Sequence, residues 1–256
     1  MRHRNPLCFL LLAWALLLGP MRVSAAPEPP TMTEARRAVY GGALWRVGAE
    51  PAHQAFFPRG TQLHVHEVFR AAYQESGPDK LMLVYQLTPG PREQYRCDSC
   101  APALGAAVLA RDLPQGLHIL EGSWRVQARA PLLMWGAPGA AAEDLQLIGL
   151  GLDRWGLRSR YRDRVQNLES RRERLLLQQG ERLLLVLDEG FAGKPAACGA
   201  EGTAPQHTAL LPLAPRAADA PRLELVLRYN EGACPRPQVR EEHRRYELRD
   251  GRFQPE

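Results

Sequence analysis

The chain predicts a mainly β fold: an antiparallel sandwich or partly open barrel with one short amphipathic helix packed on it. Three observations carry that expectation. Short apolar runs recur from residue 81 onward, and glycine and proline, 22 of each in 256 residues, punctuate them. Leu223, Leu225 and Leu227 alternate with Glu224, Val226 and Arg228, the period of a half-buried strand. The βαβαβ order that a doubly wound nucleotide-binding fold requires does not appear.

The first 25 residues read as a signal peptide. Arg2 and Arg4 precede an apolar stretch over residues 7–18, Gly19-Pro20 breaks it, and Val23-Ser24-Ala25 offers small residues for cleavage. The stretch is shorter than the ~20 apolar residues a membrane-spanning helix needs. Cleavage after Ala25 removes Arg2, Arg4 and Arg22, leaving thirty basic against twenty-eight acidic residues. The mature charge of +2 removes the electrostatic case for nucleic acid. Lys80 and Lys194 are the only lysines, and Ala, Leu, Gly and Pro abound. We read that bias as the coding of a GC-rich bacterium and expect a periplasmic or secreted protein.

Residues 26–60 are expected to be an extended leader and N-terminal segment, with a short helix over 33–40 before Gly41-Gly42, and residues 61–256 a single mainly antiparallel domain. Residues 61–75 match two templates. Val65, Val68, Phe69, Ala72 and Tyr73 fit the i, i+3, i+4, i+7, i+8 spacing of an amphipathic helix, which Gly77-Pro78 would end. A strand would instead place His64 and His66 on one face as a metal pair; a helix turns them apart. Five matching positions favour the helix, so no metal ligand is assigned.

Strands follow over 81–87, 104–110 and 117–128, the last closed by Pro131, with a loop over 134–139. Residues 145–152 lead to a turn at 153–156, with Gly156 in its left-handed position. Leu175-Leu176-Leu177 and residues 183–187 flank Gly180-Glu181 and predict a hairpin, central in a sheet because its strands are hydrophobic on both faces. Residues 192–219, with Pro195, Pro205, Pro212 and Pro215, read as loop-rich. Residues 246–248 and 252–254, joined by Asp250-Gly251, predict a terminal hairpin.

Cys8 leaves with the signal peptide, and an even set of four cysteines in an exported chain points to disulfide bonds. The expected pairs are Cys97–Cys100 and Cys198–Cys234. Haem attachment needs histidine after the second cysteine, where Ala101 stands. Zinc could gather all four sulfurs, but Cys198 and Cys234 form no close knuckle, and exported thiols oxidise first. A disulfide in the four-residue Cys97–Cys100 loop should stabilise by only about 2 kcal/mol, against about 4 kcal/mol for Cys198–Cys234. The short pair is thus a weak staple. A redox couple would want Cys97 at a helix start within a βαβ surround, and a strand following it is equally readable. The structural reading is preferred and the redox one is the alternative.

No Gly-x-Ser-x-Gly elbow, phosphate-cradling glycine loop or His-Glu-x-x-His helix is present. Ser123 has no identifiable base. Glu143-Asp144, Asp188-Glu189 and Glu241-Glu242 are neighbours, which on a strand face opposite ways. In a strand, Arg158, Arg160, Arg162 and Arg164 share one face as a row about 20 Å long, suited to anions. The competing reading pairs them with Glu224, Glu241 or Glu247.

The expected function is therefore an exported bacterial envelope protein that acts as a non-catalytic binding or interaction module stapled by two disulfides, without a cofactor. Its partner would be an anionic envelope component or another exported protein. A thiol–disulfide oxidoreductase using Cys97 and Cys100 is the alternative, and an inhibitor or immunity protein for an exported toxin a third reading.

Overall fold

The computed structural model describes residues 28–54, 57–75, 77–90, 103–111, 124–134, 136–137, 140–141, 143–151, 153–165, 168–193, 205, 207–214, 220–231 and 238–256. It is mostly β, with a nine-stranded sheet curled into a half-barrel and a second sheet of four strands. Among the described residues no helix is long and apolar enough to cross a membrane, which says nothing of a β-barrel.

Helix α1 (Met32–Tyr40) forms where the sequence supplies both ends. Thr31 and Glu34 make a reciprocal capping box, and Gly41 closes the last turn at φ 79° by donating its N–H to the Arg37 carbonyl. The Thr31 amide beside the Glu34 carboxylate holds that group below its ordinary range. Ala35, Val39 and Tyr40 face the sheet and are buried, so the N-terminal segment is part of the core.

The large sheet starts with β1 (Leu44–Arg46), followed after the single turn α2 (Pro51–Gln54) by β2 (Gln62–Gln74) and β3 (Asp79–Pro89). Next come β4 (Ala103–Arg111) and β5 (Trp124–Met134), then the two-residue strands β6 (Gly136–Ala137) and β7 (Ala140–Ala141). The sheet resumes with β8 (Glu143–Gly151), β9 (Arg154–Val165), β10 (Leu168–Gln179) and β11 (Arg182–Gly193). Its order is β1-β2-β3-β4-β5-β11-β10-β9-β8. Among the described pairings only the β5–β11 junction is parallel, through Arg182 and Arg129. The second sheet, β12 (His207–Leu213), β13 (Arg222–Glu231), β14 (Gln238–Arg249) and β15 (Arg252–Pro255), is antiparallel in chain order.

Period-two alternation splits each central strand between two cores. On β3, Leu81, Leu83, Tyr85 and Leu87 pack with α1, whereas Met82 and Val84 face the other way. There they cluster with Leu157, Leu176 and Leu183 from β9–β11. Strands so far apart in the sheet order touch because the sheet curls back on itself. On the opposite half, Leu175, Leu177 and Leu187 pack against Leu210, Leu223, Leu225 and Leu227 of the second sheet.

The predicted β10–β11 hairpin is present and lies between β9 and β5, turning through Gly180 at φ 60°. The terminal hairpin is present too, with Asp250 and Gly251 at φ 50° and 76°.

Five local expectations are corrected. Residues 61–75 are not a helix but strand β2. A bulge between Glu67 and Phe69 reverses its side-chain alternation. Leu63 and Val65 consequently face α1, and Phe69 and Tyr73 the inside of the curl. Apolar residues on both faces, displaced by one position, reproduce helical spacing. Pro131 does not end β5; it lies where the β4–β5 register shifts, a bulge that tolerates a residue without an N–H. The β8–β9 turn falls earlier than 153–156: Gly151 and Asp153 take positive φ, while Gly156 sits inside β9 against Leu175 and Leu150. Within the loop-rich 192–219, β11 runs to Gly193, and β12 carries Pro212 on the edge of its sheet, where a missing donor is tolerated. The loop at 134–139 contains the short strand β6.

Candidate functional site

A cleft lies where the curl brings β9 against β2. Trp155, second residue of β9, donates its indole N–H to the Gln74 carbonyl at the end of β2 (2.9 Å). Its ring meets Tyr73 with centroids 5.8 Å apart. Gly149, opposite Trp155 in the β8–β9 register, leaves room beneath the indole: a Cβ there would lie 3.8 Å from the ring. Trp124 opens β5 opposite Arg111, the last residue of β4. Leu81 of β3 lines the wall between them.

These side chains, with Ala72 and the N-terminal Glu28 and Pro29, enclose a cleft of about 760 Å³. That size lies within the roughly 300–1,000 Å³ of small-molecule sites. Polar groups gather at one side. Asp79 accepts from the Gln74 amide (2.8 Å) on one carboxylate oxygen and pairs with Arg111 (2.6 Å) on the other. Burial raises the Tyr73 phenol far above its ordinary range, so it stays protonated and neutral. The cleft therefore presents aromatic and aliphatic surface beside an internally balanced Asp–Arg–Gln cluster.

The second polar concentration joins the two sheets. Arg158 on β9 and Glu173 on β10 are diagonal neighbours in the register, with 6% and 1% exposure. The guanidinium meets both carboxylate oxygens, at 2.9 and 3.0 Å. Thr208, on β12, donates its hydroxyl to Glu173, and its carbonyl accepts from Arg158 (3.2 Å) and Arg160 (3.1 Å). Arg160 also pairs with Asp144. Two buried charges are tolerated here because they face each other and share further hydrogen bonds with Thr208 and Gln146.

The arginine run does form a strand. Arg158 and Arg160 share the face that meets the second sheet, and carboxylates engage both. Arg162 and Arg164 stand at register positions opposite Arg171 and Glu169; their side chains lie outside the described residues. Glu224, Glu241 and Glu247, proposed as partners for the row, pair instead with Arg245, Arg228 and Arg249. Asp188 engages Arg172 and Arg174, Glu189 engages Arg244, and Glu242 engages Arg244 and Arg240. Of the adjacent carboxylate pairs, the described members are ion-paired on separate faces.

His64 and His66 share one face of β2, with ring centroids 6.2 Å apart. Among the described residues, no group of three or more His, Cys, Asp or Glu comes together around them or elsewhere. Cys97, Cys100, Cys198, Cys234, Ser123 and the predicted signal peptide lie outside the described residues.

Sequence reasoning missed the cleft. Trp124 and Trp155 are 31 positions apart, and no linear pattern joins them to Tyr73. The available signal was their placement at strand starts, where side chains border a sheet end. No protein-family model matches the chain, and neither a curated protein nor a solved structure is significantly similar to it.

Proposed function

We propose that the chain works, after export and removal of its leader, as a non-catalytic binding protein of the bacterial envelope. Its ligand carries an apolar body, seated between Trp155, Tyr73, Trp124 and Leu81. The observation that carries this reading is the aromatic cleft at the β2–β9 seam. It couples apolar walls with a few polar groups at one side, the combination that fixes both affinity and orientation for a small ligand. Asp79 and Arg111 neutralise one another, which suits a neutral or amphiphilic molecule better than a simple ion.

The test uses the neutral fluorophore N-phenylnaphthylamine. It should bind saturably and quench tryptophan emission. Trp155→Ala should weaken binding by about tenfold or more, since a buried aromatic contact dominates such sites. Val239→Ala, on exposed β14, should leave it unchanged. Equal affinity in Trp155→Ala, with circular dichroism unchanged, would overturn the reading. Its premises are checked on the exported protein: sequencing should begin at Ala26, and non-reducing peptide maps should join Cys97 to Cys100 and Cys198 to Cys234.

A further inference from the structure

At the same end of the large sheet as the aromatic cleft lies a second cavity, of about 340 Å³, that shares no lining residue with it. Three turns supply its walls. Glu75 follows β2 and Lys80 is the second residue of β3; Arg154 opens β9; Gln178, Gln179 and Gly180 carry β10 into β11. We infer that this cavity binds a small sugar acid, whose carboxylate is taken by Arg154 and Lys80 and whose hydroxyls meet the glutamine wall.

Hydrogen bonds within the protein fix these walls. Gly180 takes φ 60°, which makes the β10–β11 turn tight, and the Gln178 amide donates to the Gly180 carbonyl (3.1 Å). The Gln179 amide donates to the Gly251 carbonyl (3.1 Å), tying that hairpin to the turn between β14 and β15. The Lys80 side chain, 7% exposed, pairs with Glu75 at 2.6 Å and pins the turn between β2 and β3. A ligand therefore meets a formed site and does not have to order loops in order to bind.

The lining is richer in donors than in acceptors. An ammonium carries three N–H donors, and the Lys80–Glu75 contact engages one of them. Arg154 is half-buried, and among the described residues no acidic side chain pairs with it. Two cationic side chains thus share the cavity with a single carboxylate, which already serves Lys80. The aromatic cleft differs, since Asp79 and Arg111 neutralise one another there. A guanidinium fork matches the two oxygens of a carboxylate, and a lysine beside it adds a point charge. Gln178 contributes the complementary feature: its Oε1 is buried and accepts no hydrogen bond, which suits a ligand hydroxyl as donor.

Size and surface narrow the class further. The volume lies at the lower end of the roughly 300–1,000 Å³ of small-molecule sites, room for one sugar-sized ring. Among the described residues no aromatic ring lines the cavity, so its ligand is gripped by charge and hydrogen bonds and not by stacking.

Isothermal titration of the protein with D-glucuronate at low salt should show saturable binding that weakens as salt rises. D-Glucose, which lacks the carboxylate, and cyclohexanecarboxylate, which lacks the hydroxyls, should each bind about tenfold more weakly or worse. Arg154→Gln should weaken glucuronate about tenfold or more with the urea midpoint of the parent retained, because no described ion pair is lost. Should that variant fail to fold, Arg154→Lys keeps the charge without the fork and should bind at an intermediate strength. Arg245→Gln, on the second sheet, should bind as the parent does, and saturating N-phenylnaphthylamine should not compete. The absence of saturable glucuronate binding, equal affinity for glucose or cyclohexanecarboxylate, undiminished binding in Arg154→Gln and Arg154→Lys, or competition by the fluorophore would overturn the proposal. Fluorophore binding and its loss in Trp155→Ala test the aromatic cleft separately.

Discussion

Replacing Gly105 by alanine tests how α1 is fastened to the sheet. Gly105 lies on β4 opposite the β5 bulge that contains Pro131, and the hydroxyl of Tyr40 donates into that notch, to the Pro131 carbonyl, at 2.9 Å. A Cβ on Gly105 would stand 1.6 Å from the Tyr40 oxygen, 2.9 Å from the carbon bearing it and 2.8 Å from the Pro131 carbonyl. The carbonyl belongs to a paired strand, so the ring must withdraw. Withdrawal breaks a hydrogen bond that contributes about 1 kcal/mol net and leaves a buried acceptor unpaired. It also disturbs the edge contacts of Tyr40 with Trp45 (5.6 Å) and Tyr85 (5.3 Å), in a core where overpacking costs about 1–3 kcal/mol. Alanine returns about 0.4–1 kcal/mol by restricting the unfolded chain. The net expectation is a loss of about 2–3 kcal/mol, or roughly 5–10 °C in Tm for a chain of this size. Urea and thermal denaturation of the mature protein measure it. Tyr40→Phe removes the closest atom, so Gly105→Ala should cost about 1 kcal/mol less in that background. Costs that add to within about 0.5 kcal/mol would refute the notch.

Two further outcomes follow from the charges. Arg158→Met strands Glu173, which is 1% exposed, and should cost about 3–5 kcal/mol; adding Glu173→Gln should recover part of that loss in the same urea assay, and no recovery would argue against an isolated buried charge as its origin. The Arg245 guanidinium, with His243 adding to it against partial burial, holds the Glu224 carboxyl below its ordinary range. A carboxyl lowered in the folded state stabilises fully above its unfolded value near pH ~4.3 and loses that contribution as pH falls through the folded value. The urea midpoint should therefore fall on acidification below about pH 4.5, and less so in Arg245→Gln, which starts lower at neutral pH; identical acid limbs would contradict the pairing.

Much of the fold is local chemistry and could be read along the chain. Thr31, Glu34 and Gly41 cap α1 regardless of what it packs on. Gly180 and Asp250-Gly251 supply the positive φ their hairpins demand, and Leu223, Leu225 and Leu227 announce a buried face of β13. The arginine row of β9 was visible for the same reason: side-chain direction in a strand follows from a period of two.

Other features depend on partners distant in sequence. The β2 bulge exists because Glu67 and Phe69 meet consecutive residues of β3, and it turns a strand's apolar positions into helical spacing. Pro131 looks like a strand end until Gly105 and Tyr40 occupy the space around it. The partners of Arg158 and Arg160 come from β10, β8 and β12, so no scan of neighbouring residues names them. The aromatic cleft is the extreme case. Tyr73, Trp124 and Trp155 belong to three strands, and only the curl of the sheet brings the ends of those strands together. Local sequence determines backbone direction and which residues share a face; the closure that makes a face into a site is a property of the sheet as a whole, set by core packing between strands far apart in its order.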